Sequence, residues 1–164
     1  MELTQQETQQ LFELAKIPFI LSATVDFPML GERVEIELRG EHKSRILFQA
    51  DVNRKNQIAE KLTLQLRHRN INVIRRVDFI GNHKNPPGPC PDPMFGGYEE
   101  YEFRRQDHVH FYMERYGDRW ALPLDQIHGL IIDKNANIYE RMIAFFRYCN
   151  VTKIEQSIQK TLFL

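Results

Sequence analysis

The sequence predicts an α+β fold with an N-terminal helix, an antiparallel β-sheet, and two C-terminal helices packed on one face of the sheet. Helical periodicity is confined to the two ends of the chain, whereas apolar and polar residues alternate through the middle. No internal repeat or low-complexity linker interrupts this order. A chain of 164 residues is long enough to bury one hydrophobic core, so we expect a single domain over residues 1–164.

The first element is a short helix. Thr4 followed by Glu7 forms a capping-box signature, in which each side chain satisfies the backbone N–H group of the other residue. Apolar residues at positions 11, 12 and 14 supply the buried stripe. Because Pro18 disfavours helical geometry at the residue before it, we expect the helix to end near Ile17.

A run of strands follows, each with one apolar and one polar face. Residues 34–39, 46–53 and 62–67 alternate between the two kinds of side chain. The segment 72–81 is apolar on both sides except at two arginines and an aspartate, which predicts a central strand. A later strand carries apolar side chains on one face. Its opposite face carries four polar side chains, those of His108, His110, Tyr112 and Glu114.

A proline-rich loop separates these last two strands, and helices follow them. Residues 81–100 hold five prolines, so we predict irregular structure there, and a loop of this length is more often functional or mobile than a plain connection. Asn137 with Glu140 marks the cap of a helix with an apolar face. A last helix is predicted by the pair Thr152 and Glu155, with apolar residues at positions 154, 158 and 162.

The overall composition argues against several classes of protein. Twenty-two basic and twenty-two acidic residues cancel, which disfavours a protein that coats nucleic acid by bulk charge. No apolar run approaches the roughly 20 residues of a membrane-spanning helix, and the first residues lack the basic and apolar segments of a secretory signal. The two cysteines have no metal-binding spacing. We therefore expect a cytoplasmic protein without a membrane partner.

The polar face of the strand with two histidines is the strongest candidate for a functional site. His108 and His110 point the same way, with Cβ atoms about 6–7 Å apart, and Glu114 lies on the same face. Three uses remain open: a metal site formed by His108, His110 and Glu114, general acid–base catalysis, or binding of an anionic ligand. His83, at the start of the proline-rich loop, is the natural further member because its strand should lie beside the histidine strand.

Further polar residues are expected to line the same surface. For Arg75 and Arg76, pairing with neighbouring strands and contact with a phosphate are equally expected. An aspartate beside an arginine, as Asp78 is beside Arg76, is more typical of a structural ion pair when considered alone. The predicted ligand-binding residues are Asp51, Asn53, Arg75, Asp78, Lys84 and Tyr112.

Three segments carry a family resemblance: DVNR at 51–54, RRVDFIGNHKNPPG at 75–88, and HVHFYMERYGDRWALPL at 108–124. Their pattern is an asparagine–arginine pair, an arginine–aspartate strand, H-x-NP-x-G, and H-x-H-x-Y followed by Trp-Ala. This pattern resembles an uncharacterised family of small proteins carried by bacteriophages, prophages and other mobile elements. Pro87 and a longer insertion before the histidine strand depart from it.

The resemblance implies a mobile-element setting more than a particular reaction. The same motifs are more distantly similar to small toxins of toxin–antitoxin modules, which are suspected ribonucleases. That similarity implies cleavage of RNA without a metal ion. His108 or His110 would take the proton of the ribose 2′-hydroxyl and His83 would protonate the leaving oxygen, and the two roles are interchangeable. Arg54 or Arg76 would stabilise the charged phosphorane, with RNA or a nucleotide as the partner.

Two alternatives stay open beside RNA cleavage. The neutral net charge and the long loop favour a non-enzymatic inhibitor that binds a protein or a nucleotide signal of a host defence system. The spacing of His108, His110 and Glu114 instead favours a module that binds a divalent metal, and no other cofactor is expected.

Overall fold

The computed structural model describes residues 2–161 and has an α+β architecture. Its helices and strands are α1 (Gln5–Glu13), β1 (Lys16–Pro18), β2 (Val25–Asp26), β3 (Arg33–Gly40), β4 (Leu47–Asn53), β5 (Leu62–His68), β6 (Asn72–Lys84), β7 (Glu102–Met113), β8 (Gly117–Pro123), α2 (Ile138–Tyr148) and β9 (Ile158–Gln159). Seven strands form one antiparallel sheet in the order β1-β3-β4-β5-β6-β7-β8. The short strands β2 and β9 form a separate parallel pair.

Helix α1 begins as the sequence predicts and ends earlier. The Thr4 side chain accepts a hydrogen bond from the N–H of Glu7, and the Glu7 carboxylate accepts one from the N–H of Thr4. The helix ends at Glu13 rather than near Ile17, because Lys16–Pro18 pairs with β3 as an edge strand of the sheet. An edge strand tolerates a proline, since one side of it needs no backbone donor.

Lys16 joins the C-terminal ends of the two helices. Its side chain is fully buried, and Nζ donates hydrogen bonds to the carbonyl oxygens of Phe12, Leu14 and Cys149 at 2.8, 2.6 and 3.0 Å. Carbonyl groups at a helix C-terminus lack partners within the helix and carry partial negative charge. An ammonium group with three donors satisfies them, so Lys16 fixes α1 relative to α2.

Helix α2 matches the first of the two predicted C-terminal helices. Asn137 and Glu140 form its capping box, and its buried residues face the sheet. Both α-helices lie on the apolar face of the sheet, where Phe12 of α1 and Tyr148 of α2 pack against each other with ring centroids 5.2 Å apart. Within residues 2–161 no helix has the length and apolar character needed to cross a membrane.

The second predicted C-terminal helix does not form. Lys153 adopts a left-handed conformation with φ +62°, residues Ile154–Gln156 make a single 3₁₀ turn, and Ile158–Gln159 pairs with Val25–Asp26. The two isoleucines are buried as the pattern predicts, but in a turn and a strand. A short segment with few apolar residues gains too little from helix formation to compete with this pairing. Position 162 of the predicted pattern lies outside the described residues.

The two faces of the sheet differ as the alternation predicts. Val52, Leu64 and Val77 are cross-strand neighbours on the apolar face and are fully buried beneath the helices. Trp120 belongs to this core and packs on Phe95, with ring centroids 5.3 Å apart. Strand β6 has neighbours on both sides, which confirms the prediction of a central strand.

Strand β6 extends further than the sequence predicts. Irregular structure is expected from residue 81, but β6 continues to Lys84 and pairs with β7, so the loop covers residues 85–101. Asn85 anchors the start of this loop. Its Nδ2 donates to the carbonyl oxygens of Tyr98 and Ala121, and its Oδ1 accepts from the N–H of Ala121, all at 2.9 Å. The loop is therefore fastened to β8, next to the histidine strand β7.

Candidate functional site

The polar face of the sheet carries two rows of hydrogen-bonding side chains across β4 to β7. The first row consists of Asp51, Gln65, Arg76 and His110, and the second consists of Asn53, Thr63, Asp78 and His108. Side chains directly opposite each other on paired strands have Cβ atoms about 4.5–5.5 Å apart. The two rows therefore bring an arginine, an aspartate and two histidines together on β6 and β7.

A β-bulge at Ile80 brings His83 onto this face. Asp78 and His83 are five positions apart, so strict alternation would place them on opposite faces of β6. The pairing of β6 with β7 shifts register between Asp78 and Gly81, and again between Gly81 and His83. At the first shift Ile80 has φ +56°. The extra residue of this bulge returns His83 to the face that carries Asp78.

Each bulge is held by one side chain. The Asp107 carboxylate accepts a hydrogen bond from the N–H of Ile80 at 2.8 Å. The Asn82 side-chain carbonyl accepts one from the N–H of Arg105, which has φ +49°, at 2.7 Å. A left-handed conformation is costly for a β-branched residue such as isoleucine. Strain of this kind, about 1–3 kcal/mol per residue, is concentrated at functional sites.

The three imidazole rings converge. Ring centroids are 4.4 Å apart for His83 and His110, 4.9 Å for His108 and His110, and 5.8 Å for His83 and His108. Phe103 stacks on His108 with a centroid distance of 4.4 Å. The structure thus brings together three histidines that lie on two separate segments of the sequence.

Backbone carbonyls fix the orientation of two of these rings. His108 Nδ1 donates to the carbonyl of Gln106 at 2.7 Å, and His110 Nδ1 donates to the carbonyl of Asp118 at 2.8 Å. Because a carbonyl oxygen is an acceptor, each Nδ1 carries a proton. Both Nε2 atoms then face Asp78 Oδ2, at 3.4 Å from His108 and 3.1 Å from His110. An unprotonated Nε2 and a carboxylate oxygen are both hydrogen-bond acceptors. Each of these contacts is therefore unfavourable unless a further proton or another cation lies between the two atoms.

Asp78 is the electrostatic centre of the group. Its Oδ1 accepts a hydrogen bond from the Thr63 hydroxyl at 2.5 Å, and its Oδ2 pairs with Arg76 Nη2 at 2.7 Å. Burial alone would raise the pKa of Asp78. Interaction with His108 and His110, together with the charge of Arg76, outweighs burial and holds the pKa well below its ordinary value. The carboxylate is therefore ionised.

His83 and Arg76 are the accessible members of the group. His83 is half-buried, and its Nε2 lies 2.8 Å from the carbonyl oxygen of Arg119. Burial, and then the electrostatic interaction with His110, lower the pKa of His83 to about 4. The side chains of His108 and His110 are only 0% and 2% exposed, against 30% for Arg76. The sequence predicts an open histidine face, whereas the structure closes two of the three rings beneath their neighbours.

Glu114 does not join the predicted metal set. Strand β7 ends at Met113, so Glu114 falls in the following turn, where its carboxylate accepts a hydrogen bond from the N–H of Gln5 at 3.3 Å. The carboxylate that lies beside the two histidines is instead that of Asp78. The ligand atoms offered by Asp78 and the two β7 histidines all lie within 4.8 Å of one another. The carboxylate of the potential metal site thus comes from the neighbouring strand.

Tyr112 and Arg75 lie on the apolar side of the sheet. The register of β7 against β8 shifts after Phe111, and the Tyr112 hydroxyl accepts a hydrogen bond from the N–H of Leu3 at 3.0 Å. The Arg75 guanidinium lies over the rings of Phe12 and Phe111 at 4.3 and 4.1 Å, and burial lowers its pKa. Both side chains therefore stabilise packing around α1, away from the histidines.

Arg54 and Lys84 also lie apart from the histidines. Arg54 is buried and donates hydrogen bonds to the carbonyls of Pro28 and Ala59 at 2.9 and 3.2 Å, so it ties two loops together. Lys84 is exposed and pairs with Glu100 at 3.2 Å. Neither side chain is brought to the group that surrounds Asp78.

Asp51 and Asn53 lie on the polar face but serve other contacts. The buried Asp51 carboxylate pairs with Arg67 at 2.7 Å and with Arg33 at 3.4 Å, which makes a second ion-pair group on the face. The Asn53 side chain accepts a hydrogen bond from the N–H of Lys55 at 2.9 Å and so stabilises the turn after β4.

Gly81 and Thr63 contribute to the site without being predicted. A Cβ atom at Gly81 would lie 2.7 Å from Asp78 Cβ and 2.8 Å from His108 Cε1, so the site leaves no room for a side chain there. The sequence does hold a signal, because an isolated glycine in a strand pattern indicates a bulge or a close backbone approach. Thr63 pairs with Asp78 across β5 and β6, which becomes visible only with the strand register.

The fold and the site together define an α+β protein with a seven-stranded antiparallel sheet and a buried aspartate–histidine group under a third histidine. The chain belongs to the family of unknown function DUF6978, whose model matches residues 3–151. That range includes every residue of the site. No curated protein and no solved structure matches the chain. Membership of an uncharacterised family agrees with the sequence resemblance, and the mobile-element origin stays a prediction.

Proposed function

We propose that the protein cleaves phosphodiester bonds of RNA at the histidine cluster, which consists of Arg76, Asp78, His83, His108 and His110. The observation that supports this most is the convergence of three imidazole rings, two of which, with Arg76, surround one ionised carboxylate. In this cleavage the ribose 2′-oxygen bonds to phosphorus while the bond from phosphorus to the 5′-oxygen breaks. One group takes the 2′-hydroxyl proton, water protonates the leaving 5′-oxygen, and a cation stabilises the phosphorane. An imidazole supplies the base and a guanidinium supplies the cation.

His83 is the general base in this proposal and Arg76 is the electrostatic element. Because the side chains of His108 and His110 are 0% and 2% exposed, a ribose hydroxyl has little direct access to them. His83 lies above them at the surface, with its ring edge-on to that of His110 and the two centroids 4.4 Å apart. We therefore assign His83 and Arg76 to substrate contact, and Asp78 with the two buried histidines to positioning and charge.

The surroundings of the cluster favour a short anionic substrate. Arg76 is 30% exposed within the cluster, and Arg119, whose carbonyl contacts His83, is exposed on β8, whereas the net charge of the chain is zero. A local basic group without an extended basic surface suits a nucleotide or a short stretch of single-stranded RNA better than a long duplex. In a phage or another mobile element, such an activity would act on host RNA as a toxin does.

The test is cleavage of single-stranded RNA by the purified protein. We expect 2′,3′-cyclic phosphate ends from the wild type, and a rate lowered by at least about 100-fold in His83→Gln and in Arg76→Gln. His42→Gln is the matched control, because the His42 side chain is 86% exposed and lies near Glu41, outside the cluster. Intact RNA after incubation with the wild type, both with EDTA and with added divalent metals, would overturn the proposal.

A non-enzymatic inhibitor of a host defence component is the second candidate. Phe19, Leu47 and Ile71 are 48%, 44% and 67% exposed and line one groove. Contiguous exposed apolar residues mark protein-binding surfaces. If this candidate is correct, Ile71→Asp abolishes the suppression of host defence and His83→Gln retains it. The opposite pattern favours the enzyme.

A further inference from the structure

We propose that Asp78, His108 and His110 bind one divalent transition-metal ion of the kind that prefers imidazole ligands, such as Zn²⁺. The ligand atoms are Asp78 Oδ2 and the Nε2 atoms of the two histidines. This site goes beyond the proposed RNA cleavage, because metal binding is a property of the free protein whether or not RNA is its substrate.

The spacing of the ligand atoms matches a tetrahedral metal site. Bonds of about 2.0–2.1 Å at tetrahedral angles place ligand atoms about 3.3 Å apart. Asp78 Oδ2 lies 3.4 Å from His108 Nε2 and 3.1 Å from His110 Nε2. All three atoms lie within 4.8 Å of one another. Small movements of these side chains are therefore enough to surround an ion.

The hydrogen bonds behind the ligands are those expected around a metal site. A metal-binding histidine typically donates its other ring N–H to a backbone carbonyl or a carboxylate, which fixes the ring and raises its basicity. His108 and His110 donate to backbone carbonyls at 2.7 and 2.8 Å. Thr63 donates to the second oxygen of the Asp78 carboxylate at 2.5 Å, which orients that ligand as well.

One buried nitrogen of the site is left without a hydrogen bond. His108 Nε2 is inaccessible to solvent and forms no hydrogen bond with any residue in the range 2–161. Its 3.4 Å contact with Asp78 is an ion-pair distance rather than a hydrogen bond. An unsatisfied buried polar atom costs about 1–3 kcal/mol. A cation held between the imidazoles and the carboxylate would satisfy all three ligands at once.

Arg76 is compatible with a bound ion. Its Nη2 lies 2.7 Å from Asp78 Oδ2, and its Nη1 lies 3.6 Å from the Asp118 carboxylate. A carboxylate oxygen can accept more than one interaction. If the ion displaces the arginine, Asp118 is already within reach as its second partner. Metal binding therefore does not leave Arg76 without an acidic neighbour.

The ligand types select the kind of metal. Imidazole suits Zn²⁺ and other late first-row metals, whereas Mg²⁺ and Ca²⁺ prefer oxygen ligands. Three protein ligands leave a coordination position for water or a substrate oxygen, as in catalytic zinc sites. His83, with its ring centroid 4.4 Å from that of His110, is the nearest further imidazole.

The test is titration of the chelator-stripped full chain with Zn²⁺ by calorimetry, and with Co²⁺ by visible absorption. We expect one Zn²⁺ per chain, the absorption bands of four-coordinate Co²⁺, and a rise in Tm with Zn²⁺ that Mg²⁺ does not reproduce. His110→Gln should weaken Zn²⁺ binding by more than about 100-fold, and Thr63→Val by about 10–100-fold. His42→Gln, at an exposed histidine outside the site, should bind as the wild type does.

A wild-type chain that binds no Zn²⁺ would overturn the proposal, and so would wild-type affinity in a His108→Gln/His110→Gln double variant. If circular dichroism shows that the buried variants unfold, the Thr63→Val variant and the wild type test the proposal instead. Unchanged Zn²⁺ affinity in Thr63→Val would then count against the site. RNA cleavage is measured separately. Zn²⁺ binding without RNA cleavage refutes only the proposed function, whereas EDTA-resistant cleavage without Zn²⁺ binding refutes only the metal site.

Discussion

Gly81→Ala is expected to destabilise the protein by displacing Asp78 and His108. The added Cβ would lie 2.7 Å from Asp78 Cβ and 2.8 Å from His108 Cε1, whereas carbon atoms pack at about 3.5–4.0 Å. The overlap is therefore about 1 Å, and it involves two residues that are 5% and 0% exposed and have little room to move. Overpacking of this kind costs about 1–3 kcal/mol.

The assay is thermal unfolding followed by circular dichroism. In a chain of 164 residues, 1 kcal/mol corresponds to about 2–4 °C, so we expect a fall in Tm of about 2–12 °C. Gly88→Ala is the control, because a Cβ there would meet Glu99 Cγ at 3.4 Å, an ordinary contact. If Gly81→Ala and Gly88→Ala both unfold at the wild-type temperature, the close approach of Gly81 to the side chains of Asp78 and His108 is refuted.

Three further predictions concern interactions that hold the helices, the loop at 85–101 and the N-terminal segment in place. Lys16→Met should lower the free energy of unfolding by about 2–4 kcal/mol in urea denaturation, because three carbonyls lose their donor. Burial lowers the pKa of Lys16 from 10.5 to about 8, so the wild type should gain stability relative to Lys16→Met as the pH rises from 8 to 10. A flat difference over that range would contradict the lowered pKa. Asn85→Ala should cost about 2–4 kcal/mol and increase proteolysis of the loop at 85–101, because three hydrogen bonds to the loop and β8 are lost. Tyr112→Phe should cost about 1 kcal/mol and speed hydrogen exchange at the N–H of Leu3, whose acceptor is the tyrosine hydroxyl. Unchanged exchange there would contradict that contact.

The sheet and the N-terminal ends of helices α1 and α2 could be predicted from the sequence, because both depend on local patterns of residues. Strands β3, β4 and β5 lie within one or two residues of the predicted segments, since alternation directly reflects which side chains face the helices. The capping pairs that begin α1 and α2 form as predicted, because a cap is a contact between residues three positions apart. Apolar spacing alone did not distinguish a final helix from a turn followed by a short strand.

The composition of the site could be predicted only in part, because its geometry depends on departures from regular alternation. His108, His110, Arg76 and Asp78 follow from the period of two. His83 reaches the same face only through the bulge at Ile80, and a bulge changes which residues face outward without any change in the apolar pattern. The prediction of Glu114 as a metal ligand is wrong for a related reason, because the strand ends one residue before it, at Met113.

The energetics of this region support a functional rather than a purely structural role. Removing an ionised carboxylate from water costs several kcal/mol, and a well-packed apolar group of similar size often stabilises a protein as well or better. Strand β6 buries Asp78 and places Ile80 in a left-handed conformation within two residues of it. Both features are unfavourable for stability alone. They bring His108 and His110 to the Asp78 carboxylate and place His83 against their rings. The proposed cation-binding and phosphodiester-cleaving site would account for them together, because both proposals need oriented imidazoles that regular strand geometry would not assemble.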